Sequence, residues 1–261
     1  MGELHFILTA LASGVLVGAS LALIGGGGSI LAVPLLLYFV GVDAPHIAIG
    51  TAAFAVAINA MAGLATHMRA GTVKWPCATA FTIAGFIGAL AGSTLGKLID
   101  GGVLIGWFGG LMVVVGVLML RGADQPGDPS VHLDRGSARK LLPRLIPMGL
   151  GAGGAAGFFG IGGGFLIAPG LMAATAMPIR YAIGTSLVAV TAFGLTTAGN
   201  YALSGYVSWP AALWLILGGA LGVFAGQALN ARLAAHGAAL RIVFAAAVII
   251  IGLWIAGSAL F

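Results

Sequence analysis

The sequence predicts an all-α membrane protein: about ten transmembrane segments, each roughly bilayer-long or shorter, in two inverted five-helix repeats with interrupted short helices after glycine turns. Three observations predict it. The chain of 261 residues is 60% hydrophobic and 7% charged, with mean hydropathy +1.13, where an ordinary soluble domain is roughly 45–50% apolar and 25% charged. Its apolar residues fall in uncharged runs of about 20, the length a helix needs to cross a hydrocarbon core roughly 30 Å thick. The second half of the chain also repeats the first.

The repeat is read from matched motifs. Gly25-Gly26-Gly27-Gly28-Ser29-Ile30-Leu31-Ala32-Val33-Pro34 matches Gly160-Ile161-Gly162-Gly163-Gly164-Phe165-Leu166-Ile167-Ala168-Pro169. Ala48-Ile49-Gly50-Thr51 recurs as Ala182-Ile183-Gly184-Thr185, and Gly71-Thr72-Val73-Lys74-Trp75-Pro76 as Gly205-Tyr206-Val207-Ser208-Trp209-Pro210. The offset is 135 residues at the glycine motifs and 134 afterwards. The repeats are 1–121 and 141–261, joined by a polar cytoplasmic linker at 122–140 that carries Pro126 and Pro129.

Each half divides into five apolar segments. In the first they run 5–24, 29–41, 46–67, 75–98 and 102–120; in the second, 141–160, 164–177, 180–203, 209–231 and 239–260. The opening segment resembles a signal peptide, with Val17-Gly18-Ala19-Ser20 as a cleavage site, but lacks a positive leader and has a counterpart at 141–160. It reads as a helix.

Whether the short segments cross the membrane decides the topology. If they cross, each half has an odd number of spans and the halves are inverted. With both termini outside (periplasmic), Lys97 is then the one outer cation among 11 Lys and Arg. If they re-enter, Arg180, Arg232 and Arg241 also move outside. The cytoplasmic excess of Lys and Arg favours inversion, in a multi-pass protein of the cell inner membrane. The net charge of +5 follows from the same asymmetry: its densest cluster, Arg135, Arg139, Lys140 and Arg144, lies in one loop, and no basic–aromatic pattern for nucleic acid is present.

A segment such as Ser29–Gly41 rises about 20 Å at roughly 1.5 Å per residue, short of the bilayer core. Its start must lie within the membrane, where non-helical backbone is tolerated only against protein or a water-lined cavity. Glycine permits positive φ and close approach. The N–H groups of Gly26, Gly27, Gly28 and Ser29, at the positive end of a helix dipole, then form an anion cradle. Gly162, Gly163, Gly164 and Phe165 repeat it. Paired interrupted segments at matching positions point to a transporter site. Tight packing is the competing reading, and it is the one taken for Gly14/Gly18, Gly88/Gly92 and Gly218/Gly222 among the 45 glycines.

Other polar residues carry two readings each. Pro34 and Pro169 kink the short helices, either shaping a site or setting a bend. Thr51, Thr185 and Ser186 open the next helices, and their hydroxyls serve either an oxyanion or their own backbone carbonyls. Asn59 lies mid-span, where it is interhelical glue or site lining. His67 and Arg69 close the third segment as anchors or as an anion funnel; Trp75 and Trp209 read as interfacial anchors. All six acidic residues fall at termini or in loops, so no span offers a carboxylate for a cation site or proton relay. The single cysteine, Cys77, excludes an internal disulfide and multi-cysteine metal motifs. No metal, cofactor or catalytic residue is expected. An inside-negative potential favours anion exit by roughly 2.3 kcal/mol per charge per 100 mV.

The glycine-turn pair, with Ala-Ile-Gly-Thr after each turn and Gly-x-Val-x-Trp at 71–75 and 205–209, resembles the sulfite exporter TauE/SafE family over nearly the whole chain. The resemblance implies movement of a sulfur-containing or organic anion, such as sulfite or an organosulfonate like sulfoacetate, across the bacterial inner membrane. The first half has four glycines where the second has Gly-Ile-Gly-Gly-Gly, which leaves open whether both cradles bind. The expected partners are a small anionic substrate and the lipid bilayer, with a monomer or homodimer as the assembly. Two other readings stand beside export: a permease for another small solute or cation, and a non-transport enzyme or assembly factor. The chain has no H-E-x-x-H, no G-x-S-x-G and no serine–histidine pair at matching depth.

Overall fold

The computed structural model describes residues 2–24, 26–121, 128, 131, 133–134, 136–162, 164–233 and 237–258, with the backbone alone at 23, 24, 26, 27, 121, 227–233 and 237–241. Among these residues every regular element is helical. Helix α1 is Gly2–Ile24. The short helix α2 is built in three windings: a 3₁₀ stretch Gly26–Leu31, one α turn Ala32–Pro34 and a π-wound stretch Leu35–Val40. Then come α3 Pro45–Arg69, α4 Trp75–Leu98 and α5 Gly101–Arg121. The second half supplies α6 Ala138–Phe159, α7 Gly164–Thr175, α8 Ile179–Ala202, α9 Trp209–Leu233 and α10 Gly237–Ser258.

Six of these are long and apolar enough to cross a membrane: α1, α3, α4, α5, α8 and the Trp209–Gly226 part of α9. Helix α6 begins with Arg139, Lys140 and Arg144 and stands outside that set. Segments Gly28–Val40 and Gly164–Thr175 are the shorter apolar helices placed where the sequence puts them.

One boundary differs from expectation. The first glycine run does not form a bare turn ahead of a helix starting at Ser29; winding begins at Gly26. Gly28 does not take a positive φ. What glycine supplies at 28 is proximity, because a Cβ there would strike the Ser20 hydroxyl and the backbone at Leu21. In the second half the expected left-handed glycines are present, Gly160 at φ +67° and Gly162 at φ +64°.

Glycine stripes place the helices. Helix α1 lies against α9 and α6 against α4. A Cβ on Gly18 would sit in the carbonyl of Gly219, and one on its counterpart Gly153 in the carbonyl of Gly85. Gly88 and Gly222, and Gly92 and Gly226, repeat the arrangement against α6 and α1. These glycines are packing residues, as expected of small-xxx-small faces in lipid.

The packing pattern maps onto itself when each helix is exchanged for its counterpart. The α1–α9 contact becomes α6–α4 and α4–α8 becomes α9–α3, while α3–α8, α5–α10 and the contact between the start of α2 and α7 are self-paired. The centre is α3 and α8, whose apolar windows are 67% and 61% buried, the highest among the six. Exposed Leu, Ile, Val, Phe and Trp side chains, among them Leu98, Phe224 and Trp254, cover the perimeter. An apolar rim of that kind belongs against lipid.

Candidate functional site

The two motifs that follow each glycine turn prove to be one device, made twice across the repeat boundary. Gly71 (φ +65°) and Gly205 (φ +75°) reverse the chain after α3 and α8, a left-handed turn that glycine takes without a Cβ penalty. The loop after Gly205 lies so close to α3 that a Cβ on Gly50 would strike the Tyr206 carbonyl. Next to it, the Thr51 Oγ1 accepts a hydrogen bond from the Ser208 N–H at 2.9 Å. The mirrored set has Gly184 against the Thr72 carbonyl and the Lys74 N–H donating to Thr185 Oγ1 at 3.0 Å. Each Ala-Ile-Gly-Thr thus grips the Gly-x-Val-x-Trp loop of the other half. This gives both threonines a structural task at fully buried sites. Ser186 donates to the Ile183 carbonyl at 2.8 Å, the backbone-bonded alternative of its two readings.

Around this frame the two ends of the α3–α8 pair differ. Where α3 ends and α8 begins, a cavity of about 230 Å³ opens, lined by Ala22, Gly63, His67, Ile183, Leu187 and Val223 together with Leu21, Thr66 and Ala70. The His67 Nδ1 lies 2.8 Å from Thr72 Oγ1. Thr72 donates its own proton to the His67 carbonyl at 3.2 Å, which leaves its oxygen to accept from the ring. The Lys74 ammonium stands 4.7 Å over the Tyr181 ring.

At the other end seven of the nine counterparts of these liners are buried, while Asn200 (for Thr66) is half-buried and Ser204 (for Ala70) is exposed. His67 corresponds to Tyr201, Gly63 to Thr197, Leu187 to Ala53 and Val223 to Ala89, all 0% exposed; Ile183 corresponds to Ile49 at 1%. Tyr201 is covered by the imidazole of His46 (6.3 Å between ring centres), which also meets Tyr206 at 5.4 Å. His46 Nε2 lies 3.3 Å from the Gly96 carbonyl. One end is open and the other sealed. A cysteine at Gly63 should accordingly react with a small thiol reagent about a hundredfold faster than one at Ala53, if opening the sealed end costs a few kcal/mol; equal rates in detergent would contradict the asymmetry.

One turn below the cavity lies Asn59, on the same face of α3 as Gly63. It is 1% exposed and its Nδ2 has no partner, an expensive condition for a buried donor. The amide rests against Gly219, where a Cβ would occupy its place. The matching pair in the other half is Phe193 against Gly85, the Phe193 ring stacked on Phe81 at 6.3 Å. The same position is thus polar in one half and aromatic in the other. Ser13, on α1 beside Gly14, carries a fully buried hydroxyl without a partner, as do Thr197 and Tyr201 at the other end, and Gly14 abuts the backbone of Gly219.

The predicted glycine cradles lie near this level. Gly28 and Ser29 are buried against α1, and Gly162, Gly164 and Phe165 are buried, with Gly162 facing Val56 and Val190. Gly163 lies outside the described residues, and Gly26 and Gly27 are described by backbone alone. Pro34 is buried where α winding passes into π winding, and Pro169 is exposed inside α7. The cavity reaches Leu21 and Ala22, just before the first glycine turn. Sequence reasoning missed the Tyr201–His46–Tyr206 layer and the grip of the threonines. Aligning the two halves position by position would have shown the first as a His67/Tyr201 mismatch.

A family model described as "Sulfite exporter TauE/SafE" matches residues 10–255. The chain belongs to the TauE/SafE sulfite exporter family. Relatives of this family member are named accordingly. A "Probable membrane transporter protein" of Xylella fastidiosa (strain Temecula1) is 47% identical over 249 residues, covering 95% of this chain and 94% of the relative. "Probable membrane transporter protein MJ0441" of Methanocaldococcus jannaschii is 30% identical, over 77% of each chain. "Probable membrane transporter protein YunE" of Bacillus subtilis is 26% identical, over 84% of this chain and 87% of the relative. No solved structure matches significantly. This TauE/SafE member is a multi-pass membrane transporter.

Proposed function

We propose that this transporter exports a small anion, sulfite or an organosulfonate such as sulfoacetate, across the inner membrane, through two inverted five-helix repeats with both termini periplasmic. The observation that carries the reading is the one-ended cavity between α3 and α8. A symmetric frame that is open at His67 and sealed at its counterpart Tyr201 is what one conformer of an alternating-access carrier looks like, with the repeats exchanging roles in the other. Arg69, Lys74 and Arg180, at the end of α3, just before α4 and at the start of α8, put positive charge at this end of the α3–α8 pair, which supports an anion. The self-exchanging helix contacts and the self-paired short helices support the repeat.

The substrate passes from the mouth to the level of Asn59, whose unpartnered Nδ2 offers a donor to an anionic oxygen. The glycine-turn amides around Gly26–Ser29 and Gly162–Phe165 flank that level. Thr51, Thr185 and Ser186 hold the frame. Among the described residues no group of three metal-ligating side chains occurs.

Flux of radiolabelled sulfite and sulfoacetate into proteoliposomes tests this. The protein should carry both above empty vesicles, and Asn59→Phe, which copies the Phe193–Gly85 arrangement of the other half, should bring flux to the vesicle background while the protein stays folded. Flux of the unsubstituted protein equal to empty vesicles for both anions would sink the proposal.

A further inference from the structure

Lys97 ends α4 at the sealed end, where the positive-inside pattern expects a lone outer cation. Its ammonium group does not reach outward. It donates to the Asn200 carbonyl at 3.0 Å, to Asn200 Oδ1 at 2.8 Å and to Ser204 Oγ at 2.9 Å. A lysine has three protons to give, so all are spent on neutral oxygens of α8 and its end. Asn200 in turn donates through Nδ2 to Ser93 Oγ at 2.7 Å and Thr94 Oγ1 at 3.0 Å, both on α4. The nearest carboxylate in the chain, Asp100, is occupied in capping α5, where Oδ1 accepts from the N–H groups of Gly102 and Val103.

Near hydrocarbon a lysine ordinarily extends to the water interface. Here it ties α4 to α8 directly beside Tyr201. Among the described residues the counterparts of the two acceptors differ in chemistry. Asn200 corresponds to Thr66, whose hydroxyl donates to its own helix at the Gly63 carbonyl (2.7 Å), and Ser204 corresponds to Ala70.

We propose that Lys97 is an anion-binding residue of the transport path, masked in this conformer by Asn200 and Ser204. The lock and the binding site are one group. When the sealed end parts, three charge-assisted donors lose their neutral acceptors together, and a sulfonate or sulfite oxygen is the stronger acceptor that replaces them. An arriving anion thereby competes for the lock and favours opening, the differential affinity a ligand needs to shift a conformational equilibrium. The proposal rests on the anion-export reading for its choice of ligand.

The test uses full-length protein in detergent on a Cys77→Ala background, with Ala53→Cys as a reporter buried at the sealed end and labelled by a thiol reagent. Sulfoacetate is compared with gluconate at equal ionic strength. Labelling should be slow, and sulfoacetate should speed it. Lys97→Met should raise the rate about tenfold or more, the scale for losing hydrogen bonds from a charged group, and abolish the response to sulfoacetate. Lys97→Arg should restore both slow labelling and the response, which a merely structural role would not require. Labelling of Lys97→Met as slow as the parent, or still speeded by sulfoacetate, would overturn the proposal. Vesicle flux separates it from the exporter reading. Undiminished sulfoacetate flux in Lys97→Met removes Lys97 from the path and leaves export standing. Sulfoacetate-dependent labelling that needs Lys97, in a protein that carries no flux, supports the site and sinks export.

Discussion

Gly18→Leu and Gly92→Leu are each expected to abolish recovery of folded, monodisperse protein, while Gly110→Leu and Gly151→Leu are expected to leave it unchanged. The four glycines all sit in helices and are indistinguishable by propensity. They differ in what a side chain would meet. At Gly18 it is the Gly219 carbonyl, and at Gly92 the Gly154 carbonyl; at Gly110 and Gly151 nothing lies within 4 Å. Backbone cannot rotate away as a side chain can, so the α1–α9 or α4–α6 pair must separate. Overpacking of side chains alone costs about 1–3 kcal/mol, and parting two helices held by close backbone approach costs more. The exposed pair should stay within about 0.5 kcal/mol. Size-exclusion chromatography and thermal unfolding in detergent read the outcome. Normal recovery of Gly18→Leu would mean that α1 and α9 are not packed through their glycines.

The second large effect concerns the reciprocal grip. Thr51→Val and Thr185→Val keep shape and remove the acceptor, leaving the N–H of Ser208 or Lys74 without its partner. Each should cost about 1–3 kcal/mol, the penalty of an unsatisfied, largely desolvated donor, and the double substitution should approach the sum because the two bonds share no partner. Gly50→Ala should be worse than Gly184→Ala. A Cβ at 50 runs into the Tyr206 carbonyl and the Tyr201 side chain, whereas at 184 the first contacts are at 2.8 Å. Thermal midpoints of the six proteins, the parent and the double variant included, would decide it. Thr51→Val at the parent midpoint would show that the Ser208 N–H finds another acceptor and that the grip is not what couples the halves.

The helical, membrane-embedded character was legible because it needs only composition and run length: α3, α4, α5 and α8 fall within a few residues of the apolar segments. The duplication was legible because three motifs kept register, and the structure explains why two of them travel together, each being half of a contact to the other repeat. What sequence could not display was difference between the copies. His67 against Tyr201, Asn59 against Phe193 and Thr66 against Asn200 read as ordinary divergence until the cavity beside His67 is set against the covered Tyr201. The first glycine run answers to one of the two properties expected of it. Of positive φ and close approach, Gly28 serves close approach to α1, a requirement set by a helix already passed in the chain. Lys97 was read only as a topological exception, since its partners lie more than a hundred residues away on α8.

Helix α2 changes its winding twice between Gly26 and Val40, whereas its counterpart α7 is plain α-helix from Gly164 to Thr175. The π-wound part carries one residue more per hydrogen-bonded ring than an α-helix, and such insertions gather at working sites. Passing that surplus residue along the rod alters its length and turns its side chains without severing it. A rod of mixed pitch in the first half thus lies against one of uniform pitch in the second.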